Sequence, residues 1–279
     1  MRAKTIQGIR QATARLAVGN QNSYPQSVNG SGTAMRAYLV RVAVDQTFGG
    51  WNSPVDPETN EFVYVPIPEQ RAMRAALATP YSLVQPALAR FTDTHPAARS
   101  RSVQLPSDLT SANMHLDPDF EHLTYGDNGV RRGKGLAGLG RRDIVVFYSG
   151  LRPVAACQHR LVYALVGLYR VREVVRLESV AAPRWSENAH TRCIKHVGSD
   201  VIVRAERGSS GRLRRCIPIG EFRDGAYRLT HRILEAWGGL SCRDGYLQRS
   251  AVPPSLLDPR RFINWFERQG AELVNVNNL

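Results

Sequence analysis

The sequence predicts an α+β fold, a strand-rich curled sheet or barrel with a few short flanking helices. Three observations predict it. Runs of β-branched and aromatic residues recur between Gly, Pro and Asn clusters. Only two segments carry a helical period with end signals. Apolar residues make up 43 % of 279, enough to fill a packed core.

From the N-terminus, residues 1–34 are expected to be a disordered tail. The polar, small-residue tract around Asn20–Ser23 and Asn29–Gly32 has too little apolar surface to offset its ordering entropy. The domain is expected over 35–279. Ala37–Val44 reads as a buried strand, and Glu61–Ile67 as a second, stopped by Pro66 and Pro68. Glu69–Ala78 is expected to be a short helix, with Pro68 at its first turn and Met73, Ala76 and Leu77 on one face. Residues 79–142 read as mostly irregular. Asp143–Tyr148, Leu161–Leu168 and Tyr169–Val175 carry the strongest strand signal, and Ser199–Arg204 and Arg212–Ile219 add strands around the Gly208–Gly211 turn. A final helix, Pro259–Arg268, has Asp258 as its cap, Pro259 at its first position and Gly270 past its end.

Charge points to the partner. Thirty-seven Lys and Arg against 24 Asp and Glu give a formal net charge of +13, and lysine occurs only at positions 4, 134 and 195. Such a field attracts polyanions, and arginine forks phosphates and guanine edges and stacks on bases. Nucleic acid is the expected partner. No run of about 18 apolar residues occurs, so no membrane partner is expected. The four cysteines are widely spaced and form no C-x-x-C pair, which fits reduced thiols and a cytoplasmic location.

Five groups of residues carry possible chemistry. His115, Asp117, Asp119 and His122 put two imidazoles and two carboxylates within eight positions, able to do acid–base work or bind a divalent ion. In an extended segment His115, Asp117 and Asp119 would share a face, and these three are the candidate catalytic residues. Against this stands an ordinary Asp-Pro turn. Asp45, Thr47, Phe48 and Trp51 surround Gly49–Gly50, where a backbone can approach a nucleotide and rings can stack. Arg131, Arg132, Lys134, Arg141 and Arg142 make a basic, glycine-rich loop suited to phosphates, though without P-loop spacing. Tyr148, with Phe147 and Tyr163, could line a base pocket; successive strand residues face opposite ways, so Phe147 and Tyr148 cannot both do so. His190, Cys193 and His196 have a zinc-like spacing but no fourth ligand nearby. No metal or cofactor is assigned. Signatures of serine hydrolases, zinc proteases, dinucleotide enzymes and kinases are missing.

The strand pair from Asp143 to Val175, with its D-x-x-x-F-Y and G-x-x-x-V-x-E-V patterns, resembles the barrels of the PUA, ASCH and EVE superfamily. That likeness implies a PUA-like β-barrel and RNA or modified-base binding. A longer series is more specific. Asp45–Gly50 with Ser53-Pro54, Val65-Pro-Ile-Pro68, His115-Leu-Asp-Pro-Asp-Phe120, the Asp143 strand, the following strand pair and Tyr227–Thr230 resemble, in this order over roughly 35–255, the family called nucleotide modification associated domain 3. Arg41-Val42-Ala43 departs from the family's usual basic, serine-rich stretch. The resemblance implies an association with DNA-modification systems. With the charge and the candidate residues, the leading expectation is a protein that binds a nucleotide or modified base there, with DNA favoured over RNA and other subunits as possible partners. Two alternatives stand beside it: an enzyme acting on a nucleotide through His115, Asp117 and Asp119, and a structural partner whose arginines face an acidic subunit.

Overall fold

The computed structural model describes residues 34–95, 100–130, 132–248 and 252–279. The tail expected over 1–34 lies outside the described residues, Ala34 excepted, and the elements belong to the unit Met35–Leu279. The described residues form twelve strands: β1 (Ala37–Arg41), β2 (Pro54–Val55), β3 (Thr92–Asp93), β4 (Arg101–Ser102), β5 (Thr124–Asn128), β6 (Ile144–Pro153), β7 (Val162–Arg176), β8 (Asp200–Ala205), β9 (Gly211–Pro218), β10 (Gly220–Arg223), β11 (Ala226–Leu229) and β12 (Leu273–Val274). The α-helices are short: α1 (Gln85–Leu88), α2 (Ser107–Thr110), α3 (Lys134–Ala137), α4 (Ala189–Arg192), α5 (His231–Ala236) and α6 (Pro259–Arg268).

The continuous apolar run of β6 has buried side chains on both faces, as a central strand must. It pairs β1 in parallel, with Ala37 opposite Ile144, and β7 antiparallel, with Ile144 opposite Arg170. The segments 161–168 and 169–175, expected as two strands, form the single 15-residue β7. Its first half takes β9 on one edge, and its second half takes β8, which in turn carries β5. The partner changes between Leu168 and Val171, and register shifts at Leu165/Gly167 and Val171/Glu173 flank the change.

The mixed α+β class and the few short helices agree with expectation, but the PUA-like barrel does not. The path β1-β6-β7-β8-β5 stays open, and among the described residues no ladder joins β1 to β5. The free edge of β1 is covered by irregular chain instead: Leu39 N–H donates to Pro254 O, and Leu256 N–H to Ala37 O.

Two further expectations fail for identifiable reasons. Glu69–Ala78 forms no α-helix; only Ala75–Leu77 makes a 3-10 turn. Its backbone donors go elsewhere, Glu69 N–H to Asn113 O and Arg74 N–H to Arg192 O, and Ala76 is exposed. Residues 61–67 are extended and buried but join no ladder beyond the Val55–Phe62 bridge; Tyr64 instead bonds the Asn278 side chain through both backbone groups. By contrast α6 is as expected. Asp258 Oδ1 accepts from Arg261 N–H, Gly270 follows at φ 59°, and Phe262, Trp265 and Phe266 pack with Trp237 into the main core. A second, smaller core gathers around Tyr81, Val44 and Val63, and Trp51 packs against it.

Candidate functional site

A cleft of about 550 Å³ opens where β1, β5 and β6 meet two loops and the turn of α4. Leu39 and Arg41 of β1 lead into the turn Val42–Phe48 on one side. Tyr125, Gly126 and Asp127 of β5 form the other, with Tyr148 of β6 behind. The turn is built by Asp45, whose Oδ1 accepts from Thr47 N–H (2.7 Å) and Phe48 N–H (2.8 Å), an Asx turn. Its Oδ2 lies 2.9 Å from Arg41 Nη2. Gly49 follows at φ 100°, where a Cβ would stand 3.0 Å from Val44 Cγ1, so glycine is required there.

His115, Asp117 and His190 form the floor. His115 and Asp117 come from one extended segment, and His190 from α4. Asn188 caps that helix with Thr191 in a capping box, and its Oδ1 accepts from His190 N–H (2.9 Å). Each imidazole is held from behind by a buried carboxylate. His115 Nδ1 lies 2.6 Å from Glu69 Oε2, and His190 Nδ1 lies 2.6 Å from Asp200 Oδ2. Both Nε2 atoms face Asp117 Oδ2, at 3.8 Å and 3.6 Å. Asp117 Oδ1 accepts from Gly126 N–H (2.9 Å) and Asn188 Nδ2 (2.8 Å), which fixes the carboxylate. Gly126 permits this approach, since a Cβ there would stand 2.5 Å from His190 Cδ2.

The electrostatics follow from these contacts. Burial alone would lower the His190 pKa, but hydrogen bonds to Asp117 and Asp200 outweigh it and hold the ring at about 9. Burial works against the charged Glu69, yet the bonds from His115 and Arg71 keep its carboxyl well below the usual range. Asp127 is raised by burial, opposed by Arg132, and it accepts from Tyr125 Oη at 2.9 Å. The floor is a set of fixed imidazoles and carboxylates, and the walls offer guanidinium and ring surfaces.

The other sequence candidates divide. Asp45, Thr47, Phe48 and Tyr148 line the cleft with His115 and Asp117; Trp51 does not. Asp119 is fully buried outside the lining. Its carboxylate is bound by Arg192, by His122 and by Asn277. Arg132 lines the cleft, with Nε 3.8 Å from Asp127 Oδ2. Arg131 lies outside the described residues. Lys134, Arg141 and Arg142 are exposed away from the lining, and Arg141 pairs Glu206. Phe147 packs in the core against Phe120 and Tyr169, while Tyr148 donates to Leu247 O (2.6 Å), so the two do face opposite ways. Tyr163 stacks on Tyr227.

The run His190-Thr-Arg-Cys193-Ile-Lys-His196 is separated by the fold. Cys193 Sγ donates to Ala189 O, and His196 packs edge-on against Trp185, whereas His190 joins the block 75 positions earlier. His190, Arg41, Tyr125 and Asp127 are therefore the site residues that local spacing does not assemble. β5, with the sequence Thr-Tyr-Gly-Asp-Asn, has no apolar alternation to announce it.

No curated protein and no solved structure matches the chain. A family model does, over residues 36–237, a span that holds the centre of the sheet and every cleft-lining residue except Pro253 and Pro254. The chain belongs to the family described as nucleotide modification associated domain 3.

Proposed function

We propose that the chain serves a DNA base-modification system by taking a single nucleotide, base or modified base inward, into the cleft above His115 and Asp117. One observation carries this: the Asp45 turn, the His115–Asp117 block and Arg132, far apart in sequence, line one concave surface. The volume suits one nucleotide rather than a duplex segment. Arg41 and Arg132 supply charge for a phosphate. Phe48, half exposed at the rim, offers a ring face, and Asp127 and Asn128 offer polar groups for a base edge. The net charge of +13 favours a polyanionic partner.

Anisotropy titrations with duplex DNA, single-stranded DNA and RNA at several salt concentrations test it, with and without modified bases. The expected outcome is salt-sensitive binding, strongest to DNA and weakened by Arg132→Ala. No salt-sensitive binding to any of them would end the proposal.

A second reading, an enzyme acting on the bound nucleotide or modified base, is favoured by the two imidazoles aimed at Asp117. Under that reading Asp117→Asn abolishes turnover of a bound nucleotide and leaves most phosphate-derived affinity. A pure binding module shows no turnover in either form.

A further inference from the structure

We infer that His115, Asp117 and His190 bind one first-row divalent transition-metal ion through His115 Nε2, His190 Nε2 and Asp117 Oδ2, with its remaining coordination positions open to the cleft.

The donor atoms meet the first requirement. One ligand atom from each residue lies within 4.8 Å of the other two, and Asp117 Oδ2 is 3.8 Å and 3.6 Å from the two Nε2 atoms. Bonds of about 2.0–2.2 Å place neighbouring donors roughly 3.0–3.5 Å apart. The Asp117 contacts need to close by a few tenths of an ångström, and the two ring nitrogens, within 4.8 Å of one another, close further. The imidazoles are already turned for it, edge to face with ring centroids 5.0 Å apart.

The groups behind the rings argue more strongly. A metal-binding histidine usually donates its other N–H to a carboxylate, which fixes the ring and raises its basicity. Here both do. Glu69 takes Nδ1–H of His115 and Asp200 takes Nδ1–H of His190, each at 2.6 Å. Gly126 N–H, shared between the two oxygens of Asp117, and Asn188 Nδ2 on Oδ1 fix the carboxylate with Oδ2 towards the ring nitrogens. A histidine kept only for packing needs one partner, not a carboxylate behind and another in front.

Charge completes the case. Glu69, Asp117 and Asp200 are three buried carboxylates, and among the described residues the guanidinium touching them is that of Arg71, 3.2 Å from Glu69 and 3.6 Å from Asp200. A ring bound through Nε2 gives up any proton there, so in the metal-bound cluster three carboxylates and one guanidinium leave two negative charges, which one dication balances. Two nitrogens and one carboxylate on one side, with open positions opposite, suit Fe(II), Mn(II), Co(II) or Zn(II); Mg(II) and Ca(II) prefer all-oxygen shells.

The site does not depend on whether a nucleotide enters the cleft, so the test uses metal alone. Untagged full-length protein, stripped with chelator, is titrated with Co(II) and followed by calorimetry and visible absorption. One equivalent should bind and produce d–d bands, and millimolar Mg(II) should not displace it. His190→Ala and His115→Ala should lose the bands. Asp200→Asn and Glu69→Gln should bind about 10–100-fold more weakly. Proton NMR of the wild-type Co(II) form needs no variant and should show two exchangeable, hyperfine-shifted N–H signals, one per ring. Absence of stoichiometric Co(II) binding, unchanged binding in both alanine variants, absence of the shifted signals or displacement by Mg(II) would each overturn the inference. DNA titrations in excess chelator report on the nucleotide proposal separately.

Discussion

Asp119 stands two residues from the cleft floor, and its environment gives it a structural task. It is fully buried. Oδ1 accepts from Glu121 N–H (3.0 Å), His122 N–H (3.2 Å) and Asn277 Nδ2 (3.3 Å), and Oδ2 takes Arg192 Nη2 and His122 Nδ1 (3.0 Å). The Arg192 side chain is itself 5 % exposed. Asp119→Ala therefore leaves a buried guanidinium without a carboxylate, and breaking such a pair costs about 3–5 kcal/mol. For a domain of this size each kcal/mol moves the melting temperature by about 2–4 °C, so the expected fall is roughly 6–20 °C. Calorimetric melts of Asp119→Ala, Arg192→Met and the double variant measure it. Because the two residues share one interaction, the double variant should lose less than the sum of the singles. Unchanged melting in Asp119→Ala, with loss of nucleotide binding, would refute the structural role and return Asp119 to the site.

Three further outcomes are expected. Gly126→Ala drives a methyl into His190 Cδ2 and Asn188 Oδ1, costs about 1–3 kcal/mol in urea melts and weakens Co(II) binding; full retention of both would contradict the packing. His122 is raised from its ordinary 6.5 by its hydrogen bond to Asp119, so its contribution is complete below the unfolded value and fades as pH rises through the folded one. The His122→Ala penalty should thus be larger at acidic than at alkaline pH; the side chain is 41 % exposed, which keeps the difference below about 1 kcal/mol, and a reversed trend would refute it. Arg132→Ala should lower the slope of log affinity against log salt by about 1, as for one lost phosphate contact, whereas an unchanged slope places the phosphate elsewhere.

The sheet's centre was legible in the sequence because β6 and β7 are long, apolar and β-branched, a signal that survives any tertiary context. Helix α6 was legible because its cap, first-turn proline and terminal glycine act locally. The failures share one cause. Glu69–Ala78 carries a helical stripe, but its backbone is claimed by chain at 113 and 192, and β5 is placed by its ladder with β8, not by an apolar alternation of its own. The site shows the same division. His115 and Asp117 lie in one short block, and the Asp45 turn is announced by its glycines. His190 becomes part of the floor only because β8 and the α4 cap carry it across to Asp117, and no local spacing encodes that.

The cleft is the proposed place where nucleic acid is handled. Photocrosslinking DNA that carries 5-iododeoxyuridine, with mass-spectrometric mapping of the products, locates the contact directly. Crosslinks should concentrate on the rim and walls, at Phe48, Tyr125 and Tyr148, and should fall in Arg132→Ala. Crosslinks confined to exposed surfaces such as Arg141 and Arg142, with none in the cleft, would contradict it.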